Sequence, residues 1–261
     1  MCELLGISVD PAASMGLLFK AFRPRASENV SGWGLGWYSD DHFEIVKETQ
    51  RADQSHAADE LAEDPPSSTT FVIHVRAATV GSISQVNTHP FTASVAAKQW
   101  LFAHNGTIRN LDRLDTGNYL PKGQTDSEVA FHYLLTRLAN LGNEASEEET
   151  ANEIMNGALE LSADGKANFL MTDGETLYAY HDGHKSLHYV ERQSQGAKGA
   201  KAAMRVADDA DYTIDLTSNS AERAVVIASV PLTSEDWTKC EPGEFLICRK
   251  GNLDARIRCA I

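Results

Sequence analysis

The residues with the clearest chemical potential begin at the N-terminus, where Cys2 follows the initiator Met1. Cys is small enough that Met1 is expected to be clipped, which leaves a thiol beside a free α-amine. The thiolate is the nucleophilic form of Cys, and an unperturbed thiol of pKa ~8.5 is mostly protonated at neutral pH. An α-amine of pKa ~7.7–8.0 keeps a neutral fraction that accepts the thiol proton, so one residue supplies both nucleophile and base. Cys2 serves equally as a small residue opening an N-terminal strand through Glu3-Leu4-Leu5-Gly6-Ile7-Ser8. The rest of the chain decides between these readings.

Several other polar groups fall at the ends of expected elements. Phe71, Ile73 and Val75 alternate with Val72, His74 and Arg76, the period-2 pattern of a strand that delivers Arg76 to its own end. A guanidinium there would grip a carboxylate through two parallel bonds. The apolar run Trp100-Leu101-Phe102-Ala103 is expected to stop at His104-Asn105-Gly106, with Asn-Gly forming a turn. That turn would expose a backbone N–H beside a side-chain amide, the pair of donors an oxyanion needs. Gly123-Gln124-Thr125-Asp126-Ser127-Glu128 opens a helix, in which either Thr125 or Asp126 serves as the cap. Cys2 as nucleophile, Asn105 with Gly106 for an oxyanion, Arg76 for an α-carboxylate and Asp126 for an α-ammonium are together what hydrolysis of a γ-glutamyl amide demands. His74, His89 and His104 match no zinc spacing, so no metal is expected.

The elements that must position these groups follow from pattern. Ser31-Gly32-Trp33-Gly34-Leu35-Gly36-Trp37-Tyr38 has glycines at alternate positions, which is no dinucleotide fingerprint. It suits a strand whose backbone closely approaches another backbone or a ligand, with residues 43–48 as its hairpin partner. A short helix near Ser14–Phe22, a polar helix at about 53–63 and a loop at Asn87–Phe91 complete the first half. Ala130, Leu134, Leu138 and Leu141 mark the buried face of the helix after Gly123, stopped by Gly142. Ser146 and Glu149 form a capping box for the next helix, with Ile154, Ala158 and Leu161 buried. Strands follow at Asn168–Thr172, Leu177–His181, Leu187–Val190, Ala224–Ala228 and Phe245–Cys248, with a solvated loop over 192–211 carrying Lys198, Lys201 and Arg205. The order predicts an α+β protein of antiparallel sheets with helices outside, as a single domain over 1–261.

The net charge of −14 argues against non-specific nucleic-acid binding. No run approaches the ~18 apolar residues of a membrane span, and the cytoplasm is the expected compartment. The four cysteines show neither a CxxC pair nor a disulfide framework.

The segments MCELLG, SGWGLGWY, HVRAATVGS, NTHPF, FAHNGTIRN, GQTDSEVAF, NFLMTDG and ASVPLT run from residue 1 to about 233, with EPGE at 241–244 beyond. In that order they resemble the class-II glutamine amidotransferases, a superfamily of N-terminal nucleophile hydrolases, and in particular its compact stand-alone YafJ-type branch. The resemblance implies a four-layer αββα sandwich of two antiparallel sheets, with Cys2 as nucleophile and its freed amine as base. It gives Arg76 the substrate carboxylate, Asp126 the ammonium, and Asn105 with Gly106 the oxyanion. Thr79, Gly81, His89 and Trp33 fall in matched segments as pocket or supporting positions. Two departures stand out: Ala77 and Val80 occupy positions where synthase-linked members often carry Trp and His, and Val230 stands where an acidic residue is common. The implied activity is hydrolysis of a γ-glutamyl amide, in glutamine or a larger compound, through a thioester and without a cofactor. The alternatives are an ammonia-supplying subunit of a separate synthase and a non-catalytic γ-glutamyl sensor. The motifs encode neither the leaving group nor an oligomeric state.

Overall fold

A computed structural model describes residues 2–27, 29–39, 42–78, 80–193 and 222–259. Met1, Thr79 and the loop charges Lys198, Lys201 and Arg205 lie outside the described residues. In chain order the elements are β1 (Glu3–Ser14), α1 (Gly16–Phe22), β2 (Trp33–Ser39), β3 (His42–Glu48), α2 (His56–Glu63), β4 (Ser67–Val75), β5 (Phe91–Val95) and β6 (Lys98–Ile108). They continue with α3 (Asp126–Leu141), α4 (Glu147–Ala163), β7 (Gly165–Thr172), β8 (Thr176–His181), β9 (His188–Gln193), β10 (Arg223–Ala228), β11 (Thr238–Lys239), β12 (Glu244–Arg249) and β13 (Asn252–Arg258).

The strands form two antiparallel sheets. The first has the order β11, β9, β10, β1, β4, β2, β3, and the second β13, β12, β8, β7, β6, β5. Three apolar clusters separate four layers. Leu5, Ile7, Trp33, Leu35, Phe71 and Ile73 pack with Phe19 of α1 and Ala58 of α2. Leu4, Val72, Leu101, Ala103, Leu170 and Ile227 fill the seam between the sheets. Phe102, Phe169, Met171 and Tyr180 meet Phe131, Leu134, Ile154 and Ala158 of α3 and α4. The expected αββα sandwich is therefore the fold. Among the described residues no helix is long and apolar enough to cross a membrane.

Local chemistry explains the helical layer well. Thr125 Oγ1 accepts the Glu128 N–H at the start of α3, and the helix ends at Gly142, whose φ of 83° only glycine adopts freely. Ser146 and Glu149 exchange both bonds of the capping box that opens α4. The glycines of β2 do what their alternation implies. A Cβ at Gly34 would overlap the His89 carbonyl oxygen and one at Gly36 the Leu101 side chain, so both let the second sheet close on the first.

Two expectations are corrected. Asn105-Gly106 is not a turn: β6 runs through to Ile108, with Asn105 opposite Asn168 and Gly106 opposite Ala167. The strand continues because β7 supplies a partner for each residue, which a reading of local turn propensity cannot see. The stretch at Asn87–Phe91 is a loop only to Pro90, since Phe91 starts β5 against Phe102.

Candidate active site

Cys2 sits one residue before β1, and the pairing of Glu3 with Val75 sets it beside the end of β4. Its Sγ accepts the Ala77 N–H at 3.1 Å and lies 3.3 Å from the Ala77 carbonyl oxygen, to which the thiol donates. Burial pushes the thiol pKa up, against the Ala77 hydrogen bond and the nearby Arg76 charge, which both favour the thiolate.

Arg76 is held on both sides. Its N–H donates to the Gly32 carbonyl at 2.8 Å and its carbonyl accepts the Ser31 N–H at 2.9 Å, which locks the end of β4 to the segment before β2. Ser31 Oγ accepts the Ala78 N–H at 3.0 Å. The guanidinium, 3% exposed, donates from Nη2 to the Val80 carbonyl at 2.9 Å and from Nη1 to the Ser82 carbonyl at 3.1 Å. These described bonds use two of its five N–H donors. Burial lowers its pKa and the neighbouring Cys2 opposes that shift.

Asn105 reaches across from the other sheet, and its Nδ2 donates to the Cys2 carbonyl oxygen at 2.5 Å. Behind it, Asn168 Oδ1 accepts the Asp182 N–H at 2.8 Å and Asn168 Nδ2 donates to the Lys185 carbonyl at 2.8 Å. Gly106 packs so closely on β7 that any Cβ would overlap the Lys166 carbonyl oxygen. Asp126 is the first residue of α3, and its Oδ2 accepts the Ile108 N–H at 2.6 Å. Thr125 caps the helix, so the carboxylate of Asp126 instead ties α3 to the end of β6. His104 links the same elements. Its Nε2 faces the Lys166 carbonyl at 2.8 Å, which can only accept, so Nε2 carries the proton and Nδ1 accepts from Ser127 Oγ at 2.9 Å. Burial lowers the His104 pKa, with the Asp126 charge acting the other way.

The remaining expected positions divide. Gly81 adopts φ 76° at the turn between Val80 and Ser82, beside Asn87. His89 is buried beneath the site, its ring 4.3 Å from that of His74 and 4.6 Å from that of Phe91. Trp33 is fully buried on the helix-facing side, with its Nε1 donating to Glu48 Oε2 at 3.2 Å and its ring 5.7 Å from Phe19. Both are buried, Trp33 in the core with Phe19 of α1 and His89 against His74 and Phe91. The sequence reading overlooked Ser31, Asn168 and Ser127. All three stood inside noticed segments, but short polar side chains carry no period. Among the described residues no group of three or more His, Cys, Asp or Glu side chains is placed to hold a metal ion.

Known proteins share this chain's sequence and fold. The chain is 35% identical over 97% of its length to an uncharacterized protein of Methanocaldococcus jannaschii, of which it covers 70%. It is 34% identical over 95% of its length to the putative glutamine amidotransferase YafJ of Escherichia coli, covering 98% of that protein. Among solved structures, a predicted glutamine amidotransferase from Pseudomonas aeruginosa superposes with a TM-score of 0.70 at 26% identity, covering 97% of this chain and all of the other. A glutamine phosphoribosylpyrophosphate amidotransferase from Bacillus subtilis shares the fold, with a TM-score of 0.67 at 18% identity over 49% of its longer chain. The profile of the class-II glutamine amidotransferases matches residues 1–260, and the chain belongs to that family of amidohydrolases.

Proposed function

We propose that, with Met1 removed, Cys2 cleaves γ-glutamyl amides. The Cys2 thiol passes its proton to the freed α-amine, and the thiolate attacks the γ-carbonyl. The tetrahedral oxyanion is met by the Asn105 side-chain N–H and the Gly106 backbone N–H. Collapse breaks the C–N bond, the amine proton goes to the departing nitrogen, and a thioester remains on Cys2. Water then hydrolyses the thioester, releasing glutamate and restoring the thiol. Arg76 takes the substrate α-carboxylate and Asp126 its α-ammonium.

The observation that carries this reading is the convergence on Cys2. The Ala77 N–H lies 3.1 Å from Sγ, the Asn105 amide 2.5 Å from the Cys2 carbonyl oxygen, and Arg76 is close enough to bias the thiol. The test is glutamate release from glutamine and a panel of γ-glutamyl amides, with Cys2→Ala as control. Release that depends on Cys2 supports the proposal, and equal release by both proteins overturns it.

Supply of ammonia to a separate synthase is favoured by one feature. Val30, Val80, Ile83 and Val86 are exposed aliphatic side chains on or beside the segments that hold Arg76 and Ala78. Exposed apolar surface of this kind suits a protein partner. Glutamine hydrolysis at full rate by the isolated chain argues against that reading.

A further inference from the structure

Arg76 reaches the site from the end of β4 and Asp126 from the first residue of α3, yet a single α-amino acid must satisfy both. One buried side chain connects their supports. Asn87, 1% exposed, lies at the end of a short 3-10 turn over Gln85–Asn87. Its Nδ2 donates to the Ser82 carbonyl at 3.0 Å, the same oxygen that accepts from Arg76 Nη1 at 3.1 Å. The same nitrogen lies 3.2 Å from Ser82 Oγ. Its Oδ1 accepts the Gln124 N–H at 2.8 Å, two residues before Asp126 and next to the Thr125 cap. Gln124 returns the connection, its Oε1 accepting the Ser82 N–H at 3.3 Å. The path runs from the Arg76 guanidinium through Ser82, Asn87 and Gln124 to the start of α3.

Both loops are shaped around this amide. Gly81 turns with φ 76°, and a Cβ there would stand 3.0 Å from Asn87 Nδ2. At Gly123 a Cβ would overlap Asn87 Oδ1 itself. Glu128 fixes the same segment from below, its carboxylate accepting the Lys122 N–H at 2.8 Å and the Gly123 N–H at 2.7 Å. A buried amide that donates to one loop and accepts from the other holds their spacing, and neither bond can be exchanged for water without moving a loop.

We infer that Asn87 is the positioning residue that sets the distance between the carboxylate-binding Arg76 and the ammonium-binding Asp126. This rests on the γ-glutamyl reading above. Asn87 touches neither substrate nor thiol, so its loss acts on recognition of the α-amino acid end and not on the reacting carbonyl.

The test compares wild type, Asn87→Ala, Asn87→Asp and Gly123→Ala, each confirmed to lack Met1, on the γ-glutamyl amide that wild type turns over fastest. Loop displacement of an ångström is worth up to about 100-fold, so Asn87→Ala is expected to raise KM at least about tenfold while kcat stays within about threefold. Asn87→Asp keeps the acceptor for Gln124 but loses the donor to Ser82, and its KM falls between those of wild type and Asn87→Ala. Gly123→Ala displaces Oδ1 from the opposite side and reproduces the rise in KM without touching Asn87. Alkylation of Cys2 by iodoacetamide, read on its own peptide, keeps the wild-type rate in all three, because that reagent has no α-amino acid to recognise. A KM within twofold of wild type in both Asn87→Ala and Gly123→Ala overturns the inference alone. A fall in kcat together with slowed iodoacetamide labelling also overturns it, since that pattern marks general distortion. A wild type that turns over no γ-glutamyl amide removes the proposed function, and this inference with it.

Discussion

The two faces of the first sheet are built from the same strands and serve different ends. Toward α1 and α2 they present Trp33, Leu35, Trp37, Phe71 and Ile73, large side chains closed over a conventional core. Toward the second sheet the alternate residues include Gly6, Gly34 and Gly36 beside Leu4, Val72, His74 and Ile227, and along β4 and β1 they lead out to Arg76 and Cys2. Bulk on one face stabilises the sheet. Its absence at the glycines of the other face allows the second sheet to approach closely, and Asn105 of that sheet touches Cys2. The site therefore depends on close approach at the seam, while apolar clusters on both faces of the sheet stabilise the fold.

The sharpest break of that comparison is at the seam's mouth. Cys2→Ala should cut glutamate release by about 10⁴-fold or more while the thermal midpoint stays at the wild-type value. On the opposite face, Phe71→Ala should cost about 3–5 kcal/mol in urea unfolding with KM of the folded enzyme unchanged. Arg76→Lys should raise KM by about 100-fold, because one ammonium cannot reproduce a planar fork. Steady-state kinetics with a γ-glutamyl amide reads this, and an unchanged KM would remove Arg76 from the carboxylate role. Gly36→Ala places a methyl against Leu101 across the seam, which should cost about 1–3 kcal/mol by the same urea measurement.

A further effect is in pH. Burial above all, then the neighbouring His104 and Arg76 charges, pushes the His74 pKa down from 6.5 to about 3, and burial, then the neighbouring His74, lowers the His89 pKa well below 6.5. The unfolded chain therefore takes up protons near pH 6.5 that the native chain refuses. The stability from neutral His74 is complete above pH 6.5 and is lost as pH falls toward 3, at up to ~1.4 kcal/mol per pH unit for each such imidazole. Unfolding free energies measured between pH 7.5 and 5 should fall accordingly, and a flat profile would contradict burial of neutral histidines in the seam.

What the sequence made legible follows from what is local. Caps at Thr125 and Ser146, the buried positions Ile154, Ala158 and Leu161, and the alternation ending at Arg76 are written within a few residues of one another. The β2 glycines announced a close approach without naming its partner, which is the His89-Pro90 segment and Leu101. Asn105-Gly106 misled because turn propensity is local and strand pairing with β7 is not. Asn87 was noticed only as the start of a loop, since its role depends on Ser82 and Gln124 meeting around it. Thr79 lies outside the described residues.

The proposed chemistry depends on Cys2 becoming an exposed, activated N-terminal thiol. Intact mass spectrometry before and after incubation with 6-diazo-5-oxo-norleucine, a glutamine-mimicking alkylator, tests it most directly. The expected result is a species lacking Met1 that gains one adduct, mapped to Cys2 and lost in Cys2→Ala. A protein that lacks Met1 and gains no adduct would contradict it.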